Sequence, residues 1–287
     1  MGARQGEAKG ISMKLQEQKI CFIGAGNMAN AIIGGLVKKG FPAKQITASA
    51  PSASNLAQLE SAWGVNIADD NQRAAAEADI VVLSVKPQVL KSVCEDLSSA
   101  LAHRPLVISI AAGIGLESIA AWLGQDLPIV RCMPNTPSQV LKGASGLFAN
   151  KHVNDAQQLA TTDLFSAIGL VEWVDDEFKM HSVTALSGSG PAYIFLVIEA
   201  MEAAAVKQGI PAETARKLAA QTVAGAAEMV LKSDVSPAQL KRNVMSPGGT
   251  TERAIQSFES ADLVAIFEQA MNAAAERSVT LSNELSS

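Results

Sequence analysis

The sequence predicts an α/β fold in which an N-terminal, doubly wound and mainly parallel sheet is followed by an all-helical C-terminal part. Three observations carry this reading. From Lys19 to about Val174, short β-branched runs alternate with segments whose apolar residues recur at helical spacing. The first of those runs ends in a glycine-rich turn that opens directly into a helix. After about Asp176 the strand-like runs stop and long helical segments take over.

The strand-like runs are "KICFIG", "QITASA", "DIVVLSV", "PLVISI" and "PIVRCM". Parallel strands buried on both faces read as near-continuous apolar runs, as these do. The C-terminal segments "PAYIFLVIEAMEAAAVKQG", "PAETARKLAAQTVAGAAEMVLKS" and "DLVAIFEQAMNAAAERSVTLSNEL" are helix-long, and the first two begin with Pro and end near Gly or Ser. Residues 1–18 are expected to be a flexible extension, residues 19–176 the sheet domain and residues 177–287 the helical domain. Ala203, Ala204, Ala205, Ala219, Ala220, Ala224, Gly225, Ala226 and Ala227 place small residues where Leu or Ile would fill a core. They suit either close helix packing in a dimer or simple helix propensity in a surface bundle.

A chain of 287 residues, 48% hydrophobic and 18% charged, is long enough to bury one large core or two modest ones. A net charge of −5 with scattered Lys and Arg argues against a nucleic-acid surface and against a polybasic membrane patch. The apolar stretch around Ala192 to Ile198 is too short to span a bilayer, and the N-terminus has no apolar secretion core. Cys21, Cys94 and Cys132 lie far apart without CxxC spacing, as in a reduced, cytoplasmic protein. A small-molecule partner is expected.

"FIGAGNMANAIIGGL" holds Gly24, Ala25, Gly26, Asn27, Met28 and Ala29 as G-x-G-x-x-A between a strand and a helix. The first glycine makes the turn, the second lets the backbone approach a pyrophosphate, and the small last residue lets helix pack on strand. In that context the motif predicts dinucleotide binding and a Rossmann-like domain rather than a plain structural turn. No acid stands between Ile46 and Asn55, where one would bind the ribose 2′-OH of NAD, and Ser49, Ser52 and Asn55 offer neutral donors. NADPH is therefore the expected cofactor, with NADH the other candidate. Three further strand ends are chemically unusual: Ser84, Val85, Lys86 and Pro87; Ala111, Ala112 and Gly113; and Met133, Pro134, Asn135 and Thr136. Small residues with exposed backbone suit a flat nicotinamide there, although each loop taken singly reads as an ordinary turn.

Taken together and in order, "FIGAGNM", "VKP", "AAG", "RCMPNTP", "LSGSGPAY" and "SPGGTT" resemble the pyrroline-5-carboxylate reductase family, from Lys19 almost to the end of the chain. The resemblance implies NAD(P)H-dependent reduction of L-1-pyrroline-5-carboxylate to L-proline, the last step of proline synthesis. It also implies a homo-oligomer built from interlocked dimers, in which the substrate loop of one subunit completes the site at the other's cofactor. Gly24, Gly26, Asn27 and Met28 would then hold pyrophosphate, Asn71 and Lys86 would reach the cofactor, and the "AAG" and "MPNTP" tips would shape the nicotinamide pocket. Two departures stand out: Ala50, where some members have a serine at the 2′-phosphate, and Asp234, where some relatives have glutamate.

The same resemblance gives meaning to "NVMSPGGTT", which interrupts an alanine-rich helical region. Asn243, Ser246, Gly248, Gly249, Thr250 and Thr251 become the expected substrate contacts. The backbone N–H groups of the turn and the following helix start suit a carboxylate, and Thr251 is the expected catalytic donor to the ring nitrogen. The alternative is a Thr N-cap after a glycine turn.

Hydride transfer needs alignment and exclusion of water, with no protein nucleophile. His103, His152 and His181 lack metal spacing and read, like the cysteines, as structural or surface residues; no metal is expected. A related imine reductase or a β-hydroxyacid dehydrogenase shares the plan, but the latter's catalytic Lys would fall at Ile194. A non-catalytic nucleotide-sensing dimer is the remaining alternative.

Overall fold

A computed structural model describes residues 12–286. Among them, β1 (Ile20–Ile23), β2 (Ile46–Ser49), β3 (Asn66–Ala68), β4 (Ile80–Leu83), β5 (Leu106–Ser109), β6 (Ile129–Met133), β7 (Gly143–Ala149) and β8 (Gly169–Trp173) form one sheet. The strand order is β3-β2-β1-β4-β5-β6-β7-β8. The first six strands are parallel, β7 runs antiparallel to β6, and β8 is parallel to β7. The order reverses between β1 and β4, so the crevice beyond their carboxyl ends is the place for a ligand.

Helices α1 (Met13–Gln16), α2 (Asn27–Lys38), α3 (Ala53–Trp63), α4 (Asn71–Ala75), α5 (Pro87–Leu97), α6 (Leu116–Leu123) and α7 (Asp155–Ser166) accompany the sheet. Successive strand residues point to opposite faces, and the core divides accordingly. Ile20, Phe22, Ile80, Val82, Leu106, Ile108 and Val130 pack on one face with Ile32, Ile33 and Leu36 of α2. Cys21, Ile23, Val81, Leu83, Val107 and Ile129 pack on the other with Leu90, Cys94 and Leu97 of α5 and Ile119 of α6.

The expected extension 1–18 needs correction where it is described. Ser12 caps α1, and Leu15 is 1% exposed and belongs to the first core; residues 1–11 lie outside the described residues.

The C-terminal helices are α8 (Lys179–Val183), α9 (Gly190–Lys207), α10 (Ala212–Lys232), α11 (Pro237–Asn243), α12 (Thr250–Ser260) and α13 (Leu263–Ser286). The described residues divide into a unit that runs to Gly188 and takes in the end of the chain from Ala274, and a unit of residues 189–273. The division falls at Gly188 rather than at 176 because α8 is part of the first unit's packing: Met180 and His181 are buried, and Val183 lies beneath Gly146 of β7. Between α8 and α9, Thr184–Gly188 widen into a π-helical turn. Pro191 has no N–H to give to the carbonyl four residues back, and that carbonyl, of Ser187, accepts from Asn135 Nδ2 at 2.9 Å instead.

In the second unit, α9 has no buried residue. Ile194, Phe195, Leu196, Val197 and Met201 are all exposed within the chain. The helical run Lys179–Lys207 contains an 18-residue window of mean hydropathy 1.3 and is long and apolar enough to cross a membrane by length and composition alone. The shorter stretch read from sequence, Ala192 to Ile198, underestimated it because the helix runs on through Ala200–Val206. An apolar helix this exposed requires a covering surface.

Candidate active site

Gly24 has φ +106° and lies on the carbonyl of Ser84: an added Cβ would stand 2.6 Å from that oxygen. Its N–H donates to Ser49 O at 2.7 Å, and Ser84 N donates to Ile23 O at 2.8 Å, so neighbouring strand ends fix the turn. The Ser84 hydroxyl donates toward Ile23 O and Gly24 O at 3.1 and 3.0 Å. Ser84 therefore braces the turn through its hydroxyl. Gly26 is the N-cap of α2 without a side-chain cap, and a Cβ there would meet nothing within 4 Å. The first N–H groups of α2 thus lack helical partners and face open space beside Gly26, which is the form of a pyrophosphate cradle. Ala25 is buried, Asn27 is exposed and Met28 is half-buried.

Beyond β2 and β3 a 330 Å³ cleft is lined by Ala50, Pro51, Asp69, Asp70, Asn71, Gln72 and Asp96. Ser49 is 1% exposed and its hydroxyl donates to Asn71 Oδ1 at 2.8 Å. This corrects its expected part as a free phosphate donor; the bond leaves the Nδ2 group of Asn71 for a ligand. Ser52 caps α3, accepting from Asn55 N. No acid lies on the β2 tip itself, yet the fold brings three carboxylates to that end from elsewhere. Asp70 caps α4 through Arg73 N at 2.8 Å, and Asp96 accepts from Gln72 Nε2 at 2.9 Å.

Toward the other half of the crevice, Lys86 is an exposed N-cap of α5 with Pro87 as the first helical residue, and Val85 is half-buried. Ala111 is 8% exposed, Ala112 is half-buried, and Gly113 takes φ +78° with its Cα facing Leu281 of α13. Asn135 is buried, with Oδ1 accepting from Ala144 N at 2.9 Å and Nδ2 on Ser187 O. Its amide therefore joins β6, β7 and the π turn, and any cofactor contact at that position falls to its backbone.

In the loop of the second unit, the turn before α12 spends its own N–H groups on internal bonds. Gly248 has φ +71°, and its N–H donates to Glu252 Oε2 at 2.8 Å. Gly249 N donates to Ser246 O at 2.8 Å and is the N-cap of α12, with no side-chain cap. Neither threonine caps the helix. The donors without helical partners are the first-turn N–H groups of Thr250, Thr251 and Glu252, with Thr251 half-buried and Thr250 exposed. Asn243 ends α11 and accepts from Gln239 Nε2 at 2.8 Å.

Burial pushes the Cys21 and Cys94 thiols up to about 12, with Glu95 adding to the effect on Cys94, and raises Cys132 as well. None is a thiolate nucleophile at neutral pH. His103 Nε2 pairs with Ala78 O at 2.9 Å, the half-buried His152 lies 3.9 Å from Asp126, and His181 is buried against Ser278.

A doubly wound sheet of this order, with an uncapped helix start at its switch point and a helical second unit, defines a dinucleotide-dependent oxidoreductase. The family model for pyrroline-5-carboxylate reductase dimerisation matches residues 177–281, and one for coenzyme F420-dependent NADP oxidoreductases matches residues 19–113. A pyrroline-5-carboxylate reductase of Pseudomonas aeruginosa is 52% identical over 267 residues, covering 93% of this chain and 98% of its own. The structure of such an enzyme from Coxiella burnetii superposes with TM-score 0.90 at 46% identity over 92% and 98% of the two chains. That of a pyrroline carboxylate reductase from Plasmodium falciparum, with NADP bound, superposes at 0.83 and 33% identity over 93% and 99%. A 3-hydroxyisobutyrate dehydrogenase of Mycobacterium tuberculosis, at 15% identity and TM-score 0.51, shares the fold alone. The chain belongs to the pyrroline-5-carboxylate reductase family. It is an NAD(P)H-dependent oxidoreductase and forms a homo-oligomer.

Proposed function

We propose that the chain reduces L-1-pyrroline-5-carboxylate to L-proline, the cofactor held on Gly24–Met28, Lys86, Ala111–Gly113 and the β6 tip, and the substrate on the α12 start. The observation that carries the substrate assignment is the α12 N-terminus, whose first-turn N–H groups have no cap while two threonine hydroxyls stand beside them. Bound NADPH supplies the hydride to the C=N carbon. The N–H groups of Thr250, Thr251 and Glu252 hold the substrate carboxylate at the positive end of α12. Thr251 donates its hydroxyl to the ring nitrogen, orients the imine plane and offsets charge there. The buried Ala111 and the β6 tip exclude water on the cofactor side.

The exposed apolar face of α9 supports helix exchange between two subunits in interlocked dimers, so that one subunit's loop meets the other's crevice. Three buried, free cysteines suit a reducing, cytoplasmic setting.

The test is NADPH oxidation on adding pyrroline-5-carboxylate, with product analysis for proline. Thr251→Ala is expected to lower kcat about 10²-fold, the low end for a positioned proton donor, and Thr250→Ala less. Unchanged kcat/KM for Thr251→Ala at neutral and alkaline pH would remove Thr251 from the mechanism.

A further inference from the structure

The loop Ala111–Gly115 has no cap of its own. Gly115 is the N-cap of α6 and brings no side chain, so the N–H of Leu116 needs a partner from elsewhere. That partner is Glu177, 61 residues away in sequence, whose Oε1 accepts from Leu116 N at 2.7 Å. The same oxygen lies 2.7 Å from Arg131 Nη1. Arg131 sits in β6, two residues before Met133, with its side chain 7% exposed against 32% for Glu177. A guanidinium so buried needs its counter-ion, because leaving one member of a buried pair alone is costly. Without Glu177, the start of α6 would lose its acceptor and Arg131 its charge partner together.

The surroundings are equally specific. Gly113 backs onto α13, where an added Cβ would stand 3.6 Å from Leu281 Cβ. His181, one turn beyond Glu177, is pinned to Ser278 of α13 at 2.9 Å with both residues buried. The Ala111–Gly113 loop is thus held from behind by α13 and at its exit by Glu177.

We propose that Glu177 is a positioning residue for hydride transfer: by holding Leu116 N–H and Arg131 on one carboxylate oxygen, it fixes the Ala111–Gly113 loop relative to the β6 tip at Met133–Asn135. Glu177 touches neither cofactor nor substrate. Its action is on where the nicotinamide ring rests, while the pyrophosphate cradle at Gly24–Met28 remains as it is. This rests on the reading that the ring lies against Ala111–Gly113.

Glu177→Ala and Glu177→Gln in the full-length protein test it, with amide hydrogen exchange of residues 110–117, NADPH affinity by fluorescence, and kcat with ordinary and 4-deuterated NADPH. In Glu177→Ala we expect exchange at 110–117 to quicken at least tenfold and the NADPH Kd to stay within about threefold. We expect kcat to fall 10- to 100-fold, the scale of a misplacement of about 1 Å, with a larger isotope effect on kcat. Glu177→Gln, which keeps an acceptor for Leu116 N, is expected to recover part of kcat; if the alanine variant fails to fold, the glutamine variant alone should show faster exchange and a larger isotope effect than the parent. Unaltered exchange with unaltered kcat overturns the proposal, as does a parallel loss of kcat and NADPH affinity, which would mean general unfolding of the crevice. Ala112→Leu separates the underlying reading: if it leaves kcat unchanged, the ring does not lie there, whereas a loss in Ala112→Leu with none in Glu177→Ala sinks only the role of Glu177.

Discussion

The two glycines of the turn make opposite demands, and replacing each with alanine separates folding from binding. At Gly24 the backbone is at φ +106° and a Cβ would come 2.6 Å from Ser84 O and 2.8 Å from Ser84 C. Backbone atoms on a central strand end cannot swing away as a side-chain tip can. The unfavourable conformation costs about 1–2 kcal/mol for an L-residue, and forcing extra volume into a packed site adds about 1–3 kcal/mol. A total of about 2–5 kcal/mol corresponds to a fall in Tm of roughly 4–20 °C for a domain of this size. The distortion also carries Gly24 O away from the Ser84 hydroxyl, so NADPH binding should weaken as well. At Gly26 the backbone is extended, φ −83°, and a Cβ meets nothing within 4 Å. Gly26→Ala should therefore keep its Tm within about a degree while its methyl group occupies the approach to the cradle. A loss of about 1.4–2.7 kcal/mol of affinity there means a 10- to 100-fold rise in Kd. Differential scanning calorimetry of the free protein and fluorescence titration with NADPH provide the two readouts. If Gly26→Ala binds NADPH as the parent does, the crevice is not the pyrophosphate site and the motif is only a turn.

Three other outcomes follow from the geometry. Asp69→Asn should raise the ratio of kcat/KM for NADPH over NADH about two- to fivefold, since a carboxylate some 5–8 Å from a 2′-phosphate costs about 0.5–0.8 kcal/mol in water; an unchanged ratio would place the adenosine ribose outside the cleft at Ala50–Asp96. Burial, with the nearby Arg131, lowers the pKa of His181 below its usual 6.5, and Glu177 only partly opposes this. The unfolded chain then takes up the proton first, so Tm should fall as pH drops below about 6.5 toward the lower folded value. That slope should flatten in His181→Gln, and equal slopes in parent and variant would show that His181 is not the group responsible. Phe195→Glu on the exposed face of α9 should shift the homo-oligomer toward monomer in sedimentation velocity, and an undisturbed oligomer would move the interface off that face.

What was legible in the sequence is what acts over a few residues. The Gly24–Met28 turn could be read because its chemistry is local: one position needs positive φ and the next needs no side chain, and strand and helix patterns flank it. The strands β1, β2, β4, β5 and β6 were legible for the same reason, being β-branched runs between turn signals. Strand β7, "GASGLFA", was not, because tight packing against Ser138, Ile168 and Val183 demands glycines at 143 and 146, which depress any strand signal. The three-residue β3 is too short to show a period. Distance in sequence hid the rest. The carboxylates that share the β2 end arrive from β3, α4 and α5, so searching only Ile46–Asn55 for an acid missed them. Ser49 was read as a neutral donor, while its bond to Asn71, like the bonds of Ser84 to the Ile23 and Gly24 carbonyls, is seen only in three dimensions. Glu252 had a signal, a glutamate in the first turn after a glycine cap, a position from which a side chain reaches back to preceding N–H groups. Glu177 had none: its two partners lie 61 and 46 residues upstream. The same distance explains the domain limit. Residues 177–188 look like the beginning of a helical domain because they are helical, but Met180, His181, Val183 and Ser187 all make their contacts with the sheet unit, and Pro191 frees the Ser187 carbonyl for Asn135. A helix can start in one folding unit and belong to the next, and only its contacts decide where the unit ends.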